Sequence, residues 1–246
     1  MATSTTAARA KELTKSYPVG PGRVIAIREV SFDIERGKFT SLFGPSGSGK
    51  TPLVNCLSGL EPASSGEAWI GDHEVTALSE KELTRLRRHS VGVAFRYPIL
   101  VPTLTVEENL LLPLSIAGRN PDPAWFKGLV TAAELTNLLP SPAGELPASL
   151  QQRVSVARAI IARPELVVAD EPTGNLASTP ARGLIKFLRR CVEEFGLTVL
   201  LATHDPVIAA AADRSLLLFD GQLAGDEESP SAHRLAARLA ELSRIR

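Results

Sequence analysis

This sequence has very little cysteine, no net charge and no long apolar segment. Its 246 residues include two cysteines, and 27 lysines and arginines balance 27 aspartates and glutamates. The balance of charge argues against a nucleic-acid-binding surface, because such surfaces carry an excess of basic residues. Cys56 and Cys191 match no metal-binding or disulfide spacing, so we expect both to be buried thiols. No apolar run approaches the ~18 residues that span a bilayer, so direct membrane insertion is not expected.

Short apolar segments predict an α/β fold with two kinds of sheet. Three runs have the length and composition of strands buried on both faces, which is typical of a mostly parallel sheet flanked by helices. They lie at 39–43, 166–170 and 198–202. Two earlier runs, at 11–17 and 24–34, predict a separate antiparallel β subdomain.

Residues 97–163 predict a helical subdomain inserted into this core. Thr105 and Glu108 have the spacing of a capping box before an apolar helical run. Ser79 is placed to cap another helix shortly before the insertion. The whole chain, residues 1–246, is therefore interpreted as a single domain.

A glycine-rich segment after the first of the buried runs matches a phosphate-binding loop. It fits the pattern G-x-x-x-x-G-K-[ST] in full and consists of Gly44, Pro45, Ser46, Gly47, Ser48, Gly49, Lys50 and Thr51. Glycines let backbone N–H groups point at phosphate oxygens, and the following helix adds a favourable field. Lys50 supplies positive charge to the β- and γ-phosphates, and the Thr51 hydroxyl is a candidate Mg²⁺ ligand. With a strand before it and a helix after it, the segment predicts a P-loop that binds ATP and Mg²⁺, rather than a chance glycine-rich turn.

Two further buried runs end in ionisable residues. Asp170 and Glu171 close one run, and His204 follows the other. In a P-loop protein, Asp170 would lie beside Mg²⁺, and Glu171 would polarise the attacking water as a general base. His204 would form a hydrogen bond with the γ-phosphate. The alternatives are a solvated loop or helix cap for the two acids and a structural role for the histidine.

Taken together, these segments resemble the ATP-binding subunits of ABC transporters, especially the lipoprotein-releasing and macrolide-efflux type. The resemblance extends from Glu12 to Gly221 and implies a P-loop NTPase core for the fold. The stretches that carry it lie at 44–51, 103–109, 151–154, 164–176 and 202–205.

The resemblance implies further roles and partners. Tyr17 would stack on adenine, with an ordinary strand aromatic as the alternative. The helical subdomain would dock on integral membrane permease subunits. Each ATP would lie between the P-loop of one subunit and the signature segment of another, in a homodimer or in a heterodimer with a second ATP-binding subunit. Residues 1–10 lack the apolar segment of a signal peptide, so the expected location is the cytoplasmic face of the cell membrane.

The chain departs from the family pattern at four places. The signature Leu-Ser-Gly-Gly-Gln aligns with residues 146–150, where the serine is gone and Pro147 has no N–H to replace it. The family's glutamine is Arg96, which has no acceptor for a metal and would either bind phosphate or face solvent. Pro52, next to the P-loop, removes an N–H donor to the α-phosphate. Ala177 replaces an aspartate that makes a contact across the dimer.

Two functions fit this combination. The first is an ATP-binding subunit of an ABC transporter, which binds Mg-ATP and couples its hydrolysis to transport through separate membrane subunits. The alternative is a pseudo-ATPase that binds nucleotide and scaffolds membrane subunits without efficient turnover. The four departures favour it more than conservative changes would, but for the family role the first function is preferred. An intact partner subunit could also complete one good site. Neutral charge disfavours a DNA-repair protein, and the absence of an Asn-Lys-x-Asp motif disfavours a GTPase.

Overall fold

Residues 5–244 of the chain, which the computed structural model describes, form ten strands and eight α-helices. The strands are β1 (Thr6–Val19), β2 (Gly22–Glu35), β3 (Phe39–Phe43), β4 (Ser65–Ile70), β5 (His73–Glu74), β6 (Val91–Ala94), β7 (Leu166–Asp170), β8 (Val199–Thr203), β9 (Arg214–Phe219) and β10 (Gln222–Glu228). The helices are α1 (Lys50–Leu57), α2 (Glu80–Ser90), α3 (Val106–Ile116), α4 (Pro123–Ala132), α5 (Ala148–Ile160), α6 (Ser178–Phe195), α7 (Pro206–Ala209) and α8 (Ala232–Arg244).

The larger sheet has the strand order β10-β9-β3-β8-β7-β6. All its neighbouring strands pair in parallel except β10, which runs antiparallel to β9. Side chains of β7 alternate between two apolar cores, with Val167 and Ala169 on one face and Leu166 and Val168 on the other. Burial on both faces explains the uninterrupted apolar runs in the sequence and confirms the predicted mostly parallel sheet.

The smaller sheet is antiparallel, in the order β2-β1-β4-β5. It confirms the predicted antiparallel subdomain, but β1 begins at Thr6 and not at Lys11. Alanines at the start of β1 carry little strand propensity of their own. They are held as a strand because β1 pairs with β2 on one side and with β4 on the other. Pairing with β2 and β4 therefore determines where β1 begins.

Three helices, α3, α4 and α5, lie between β6 and β7, within the segment predicted to be helical. Thr105 caps α3 as expected: its hydroxyl accepts from the N–H of Glu108 at 3.2 Å, and the Glu108 carboxylate accepts from the N–H of Thr105 at 2.7 Å. Ser79 forms the matching capping box with Glu82 at the start of α2. Both helix starts are thus confirmed.

Both cysteines are buried, as the sequence predicted. Burial raises the pKa of the Cys56 thiol to about 11 and that of Cys191 to about 12, so neither is a reactive thiolate near neutral pH. Among the helices of residues 5–244, none combines the length and the apolar character needed to cross a membrane.

Candidate functional site

The predicted site residues, apart from Tyr17 in β1 of the smaller sheet, lie at the carboxyl ends of four neighbouring strands. In the sheet order β3, β8, β7, β6, these ends lead into the P-loop, His204, the acidic pair and Arg96. The strands are parallel, so their carboxyl ends meet at one edge of the sheet, where α/β proteins bind their ligands. Segments more than a hundred residues apart in the sequence are therefore assembled into one site.

The P-loop has the backbone shape that its glycines permit. Gly49, which precedes α1, has a φ of +101°, and a Cβ at this position would lie 2.3 Å from the Ala26 carbonyl oxygen. Gly47 has a φ of +80° and faces open space. Side chains are thus excluded where a ligand must approach the backbone. The first N–H groups of α1 have no partner within the helix and face the same space, which favours an anion.

Lys50 is held inside the loop. Its ammonium group donates to the carbonyl oxygens of Gly44 and Pro45, each at 2.9 Å, and lies 3.5 Å from Oε1 of Glu171. Burial lowers the pKa of Lys50, and the Glu171 carboxylate opposes that effect. A lysine held by two neutral carbonyl groups and one carboxylate at 3.5 Å is suited to bind phosphate, because phosphate oxygens are charged acceptors and form stronger hydrogen bonds with the ammonium group than carbonyls do.

Thr51 and Asp170 form the predicted metal-binding pair. The Thr51 hydroxyl donates to Oδ2 of Asp170 at 2.7 Å. The other carboxylate oxygen, Oδ1, is buried and has no hydrogen-bond partner among the described residues. Burial raises the pKa of Asp170. Because an unpaired buried carboxylate oxygen is costly, this arrangement fits a cation that binds beside the P-loop.

Glu171 lies between Lys50 and His204. Its Oε2 is 2.8 Å from Nδ1 of His204, and its side chain is 13% exposed, against 48% for the histidine. The φ of Glu171 is +48°, in the left-handed region that non-glycine residues rarely occupy. Such a conformation costs on the order of 1–3 kcal/mol and is concentrated at functional sites.

Several of these residues line a cavity of about 310 Å³, whereas Asp170 and His204 do not. It is lined by Ala26, Ser46, Gly47, Gly49, Lys50, Thr51, Pro52, Arg96 and Glu171. Its volume is at the lower end of ordinary ligand sites. Ala26 could not be predicted from the sequence, because it lies in β2 of the other sheet and no motif marks it.

Tyr17 is not among the residues that line this cavity. Its hydroxyl donates to Oε2 of Glu61 at 2.6 Å, and Nζ of Lys15 lies 5.0 Å from the centre of its ring. Stacking of Tyr17 on adenine stays a prediction.

Comparison with known proteins identifies the family. Residues 27–174 match the family model described as ABC transporter. The bacitracin export ATP-binding protein BceA of Halalkalibacterium halodurans is 38% identical, over 87% of this chain and 85% of its own. The lipoprotein-releasing system ATP-binding protein LolD 1 of Rhodopseudomonas palustris is 36% identical, over 87% and 96% of the two chains.

The chain belongs to the ABC transporter family. Within that family it is an ATP-binding subunit, because its relatives of that kind align along nearly their whole length. A solved structure of the ATP-binding cassette MJ0796 is also similar to this chain; it is a dimer in a post-hydrolysis state, bound to ADP and Pi. The TM-score is 0.81 at 32% identity, and the match covers 91% of this chain and 99% of that one. MJ0796 belongs to Methanocaldococcus jannaschii. These relatives favour an ABC-type ATPase over the pseudo-ATPase alternative.

The residues predicted to depart from the family pattern fall into two groups, one exposed at helix starts and one in the wall of the cavity. Pro147 is exposed and immediately precedes α5, and Ala177 is exposed and immediately precedes α6 without a side-chain capping bond. Pro52 and Arg96 both line the 310 Å³ cavity. Pro52 and Arg96 thus lie in the wall of the predicted nucleotide site, whereas the segment 147–150 belongs to the surface predicted to face a second subunit.

Proposed function

We propose that this chain binds Mg-ATP in the 310 Å³ cavity and hydrolyses it on the cytoplasmic face of the cell membrane, in complex with integral membrane permease subunits. The observation that carries the proposal is the position of the Glu171 carboxylate, 3.5 Å from Nζ of Lys50 and 2.8 Å from Nδ1 of His204. A carboxylate beside the phosphate-binding lysine is placed to orient a water molecule and accept its proton.

The P-loop accounts for phosphate binding. Its backbone N–H groups would donate hydrogen bonds to the phosphate oxygens. Lys50, which now donates to two carbonyl oxygens, would donate instead to the β- and γ-phosphates. Pro52, in the first turn of α1, has no N–H to donate at the α-phosphate. Tyr17 would stack on the adenine ring at the far end of the nucleotide.

Thr51 and Asp170 would hold Mg²⁺. The Thr51 hydroxyl and the unpaired Oδ1 of Asp170 supply oxygen ligands, which are the type this ion prefers. Bound Mg²⁺ would neutralise part of the charge on the phosphates during transfer. Among the described residues, no cluster of three or more His, Cys, Asp or Glu side chains is arranged to hold a metal. Phosphate and water oxygens would therefore complete the coordination.

His204 would act together with Glu171 in the hydrolysis step. Its imidazole fixes the Glu171 carboxylate by a hydrogen bond, and nearly half of its surface is exposed. His204 does not line the 310 Å³ cavity, and its contact with the terminal phosphate stays a prediction. Because Nδ1–H donates to the Glu171 carboxylate, the neutral ring has only an acceptor at Nε2, and a hydrogen bond from His204 to the terminal phosphate would require the imidazolium form.

Permease subunits would dock where the chain exposes apolar side chains next to the site. Phe95, Tyr97, Ile99 and Val101 are each more than a third exposed. Such a run is uncommon on a free surface and is typical of a binding interface. It begins directly after β6 and leads into the helical segment 97–163, the predicted subdomain of this single domain. Movement of a docked permease would thus be transmitted to Arg96 in the cavity wall.

A second ATP-binding subunit would close the site. The family's signature contact is altered in this chain at 146–150, so its own signature would serve a partner's nucleotide poorly. A heterodimer in which an intact subunit faces this chain's P-loop therefore leaves one competent site, and a homodimer leaves two weakened ones.

The test is steady-state phosphate release by the purified chain with Mg-ATP, compared with Glu171→Gln. Turnover in the wild-type protein that falls by roughly 10²-fold or more in the variant is the expected result, since the proposed base is lost. Glu145→Gln, which removes an exposed carboxylate outside the cavity, is the matched control. Binding of ATP without any release that depends on Glu171 would contradict catalysis by this chain alone.

A further inference from the structure

Arg96 occupies the cavity wall at the end where the terminal phosphate would lie. It lines the cavity together with Lys50, Thr51 and Glu171. The positive charge of Arg96 also contributes to the environment of Asp170, opposing the burial that raises the pKa of that carboxyl. The guanidinium is therefore close to the residues that meet the γ-phosphate, and not to the adenine end.

The guanidinium is poorly satisfied by the protein. Its one side-chain hydrogen bond runs from Nε to Oδ1 of Asn175, at the long distance of 3.4 Å. Within the part of the chain that the structure describes, no carboxylate lies close enough to Arg96 to form an ion pair. The guanidinium also lies 5.9 Å from the centre of the Tyr97 ring, and its two terminal nitrogens have no hydrogen-bond acceptor among the described residues.

The position of Arg96 is nevertheless held from two sides. The carbonyl oxygen of the preceding residue, Phe95, accepts from Nε2 of the buried Gln152 at 2.7 Å. The side-chain amide of Asn175 approaches the Arg96 carbonyl at 3.5 Å. A Cβ on Gly174 would lie 3.1 Å from Nε of Arg96, so this glycine leaves room for the side chain. The backbone that carries Arg96 is therefore held in place beside the cavity.

We propose that Arg96 binds the terminal phosphate of ATP directly and thereby reduces the dependence of ATP binding on a divalent cation. The inference rests on the proposed nucleotide site and deepens it. A guanidinium offers a planar pair of donors that matches phosphate oxygens, but it has no lone pair for a metal. An amide at the same position would offer the reverse: an oxygen for the metal and little charge for the phosphate.

The position of Arg96 beside the terminal phosphate predicts selectivity for ATP over ADP. ADP lacks the phosphate that Arg96 would contact, so the arginine should strengthen the binding of ATP more than that of ADP. In the absence of Mg²⁺, the γ-phosphate carries its full charge, and the contribution of Arg96 should be largest.

The experiment measures dissociation constants of ATP and ADP for the full chain by calorimetry, once with Mg²⁺ and once with EDTA. Arg96→Gln should weaken ATP binding in EDTA by about 10-fold or more, as expected for the loss of a charged hydrogen-bonded contact. ADP binding in EDTA should change by less than about 3-fold, which corresponds to a small part of such a contact. With Mg²⁺ the loss for ATP should be smaller, because the new amide oxygen can ligate the metal.

Two variants serve as controls. Arg119→Gln removes an exposed arginine that does not line the cavity, and it should leave all four constants unchanged. Arg96→Lys retains the charge and should recover part of the ATP affinity in EDTA. Unchanged melting temperatures of the nucleotide-free variants would show that the fold is intact.

Three results would overturn the inference. They are equal ATP affinity of wild type and Arg96→Gln in EDTA, an equal loss for ATP and ADP, and wild-type protein that binds ATP only when Mg²⁺ is present. Each of these leaves nucleotide binding with Mg²⁺ intact, so the proposed function would survive. Failure of the wild-type chain to bind ATP under any of these conditions would reject both.

Discussion

Oε2 of Glu171 lies 2.8 Å from Nδ1 of His204, and the two residues follow neighbouring parallel strands, β7 and β8. We expect His204→Ala to lower kcat by roughly 10²-fold, because the Glu171 carboxylate loses the hydrogen-bond donor that orients it. The dissociation constant of ATP should change much less. Phosphate release and calorimetry measure the two quantities, and an unchanged kcat would show that the pair has no part in turnover.

Pro52 should limit nucleotide affinity. Pro52→Ser restores an N–H in the first turn of α1, and a charged hydrogen bond is worth roughly 1.5–3 kcal/mol, so affinity should rise about 10-fold or more. The gain should be the same for ATP and ADP, since both carry the α-phosphate. Pro52→Ala restores the N–H without adding a hydroxyl, so it should give most of the gain. No gain in either variant would mean that this N–H does not reach the nucleotide.

Ala177 is a poor N-cap residue for α6. It occupies the capping position but has no side-chain acceptor, and the first turn of the helix contains no acidic residue. Ala177→Asp should raise the free energy of unfolding by about 0.5–2 kcal/mol, measured by urea denaturation. Ala177→Asn caps without adding charge and should give a similar gain. A gain for aspartate alone would point to a charge effect at the helix terminus.

Asp170 should reduce the stability of the nucleotide-free protein near neutral pH. Burial raises its pKa in the folded state, so ionised Asp170 opposes folding above that pKa, and the penalty disappears as the pH falls below the ordinary aspartate value of about 3.9. Asp170→Asn should therefore raise the melting temperature at pH 7 and lose that advantage on acidification. The same variant should reduce the extra stabilisation by Mg-ATP over ATP in EDTA.

Asp72→Asn is the control for this measurement, because Asp72 is exposed and lies outside the cavity. Its melting temperature should equal that of the wild type across the pH range. A lower melting temperature for Asp170→Asn at pH 7 would show that the hydrogen bond from Thr51 outweighs the cost of burying the carboxylate.

Residues 147–149, at the start of α5, should control pairing of two subunits around ATP. In a Glu171→Gln background, which holds ATP unhydrolysed, the triple change Pro147→Ser, Ala148→Gly and Ser149→Gly should increase the ATP-dependent dimer seen by analytical ultracentrifugation. The serine restores a donor, and the glycines allow close backbone approach. Adding Lys50→Ala should abolish the gain, because the dimer depends on bound nucleotide.

The sequence predicted the elements whose signal is local. The buried strands follow from short apolar runs, the capping boxes from the Thr105–Glu108 and Ser79–Glu82 spacings, and the P-loop from its complete motif. Each of these is decided by residues within a few positions of each other. The segments that end the parallel strands could be gathered into one site because parallel strands share an edge.

Contacts between distant segments could not be predicted in this way. Nothing near Ala26 indicates that its carbonyl oxygen approaches Gly49, or that the amide of Asn175 faces Arg96. Tyr17 and Glu61 pair across 44 positions without any pattern that links them. Such contacts depend on how the two sheets meet, and that packing has no local signature. The left-handed backbone of Glu171 is likewise imposed by its surroundings.

The two halves of the composite nucleotide site differ in how firmly folding constrains them. Lys50 opens α1 and is buried, and Asp170 closes a strand of the main sheet, so both positions belong to elements that pack in the core and have little room for larger side chains. Residues 147–149 lie at the surface, ahead of or in the first turn of a helix whose later turns are buried. Substitutions can accumulate there without loss of the folded chain. Divergence of paired ATP-binding subunits should therefore begin at the signature, long before it reaches the P-loop.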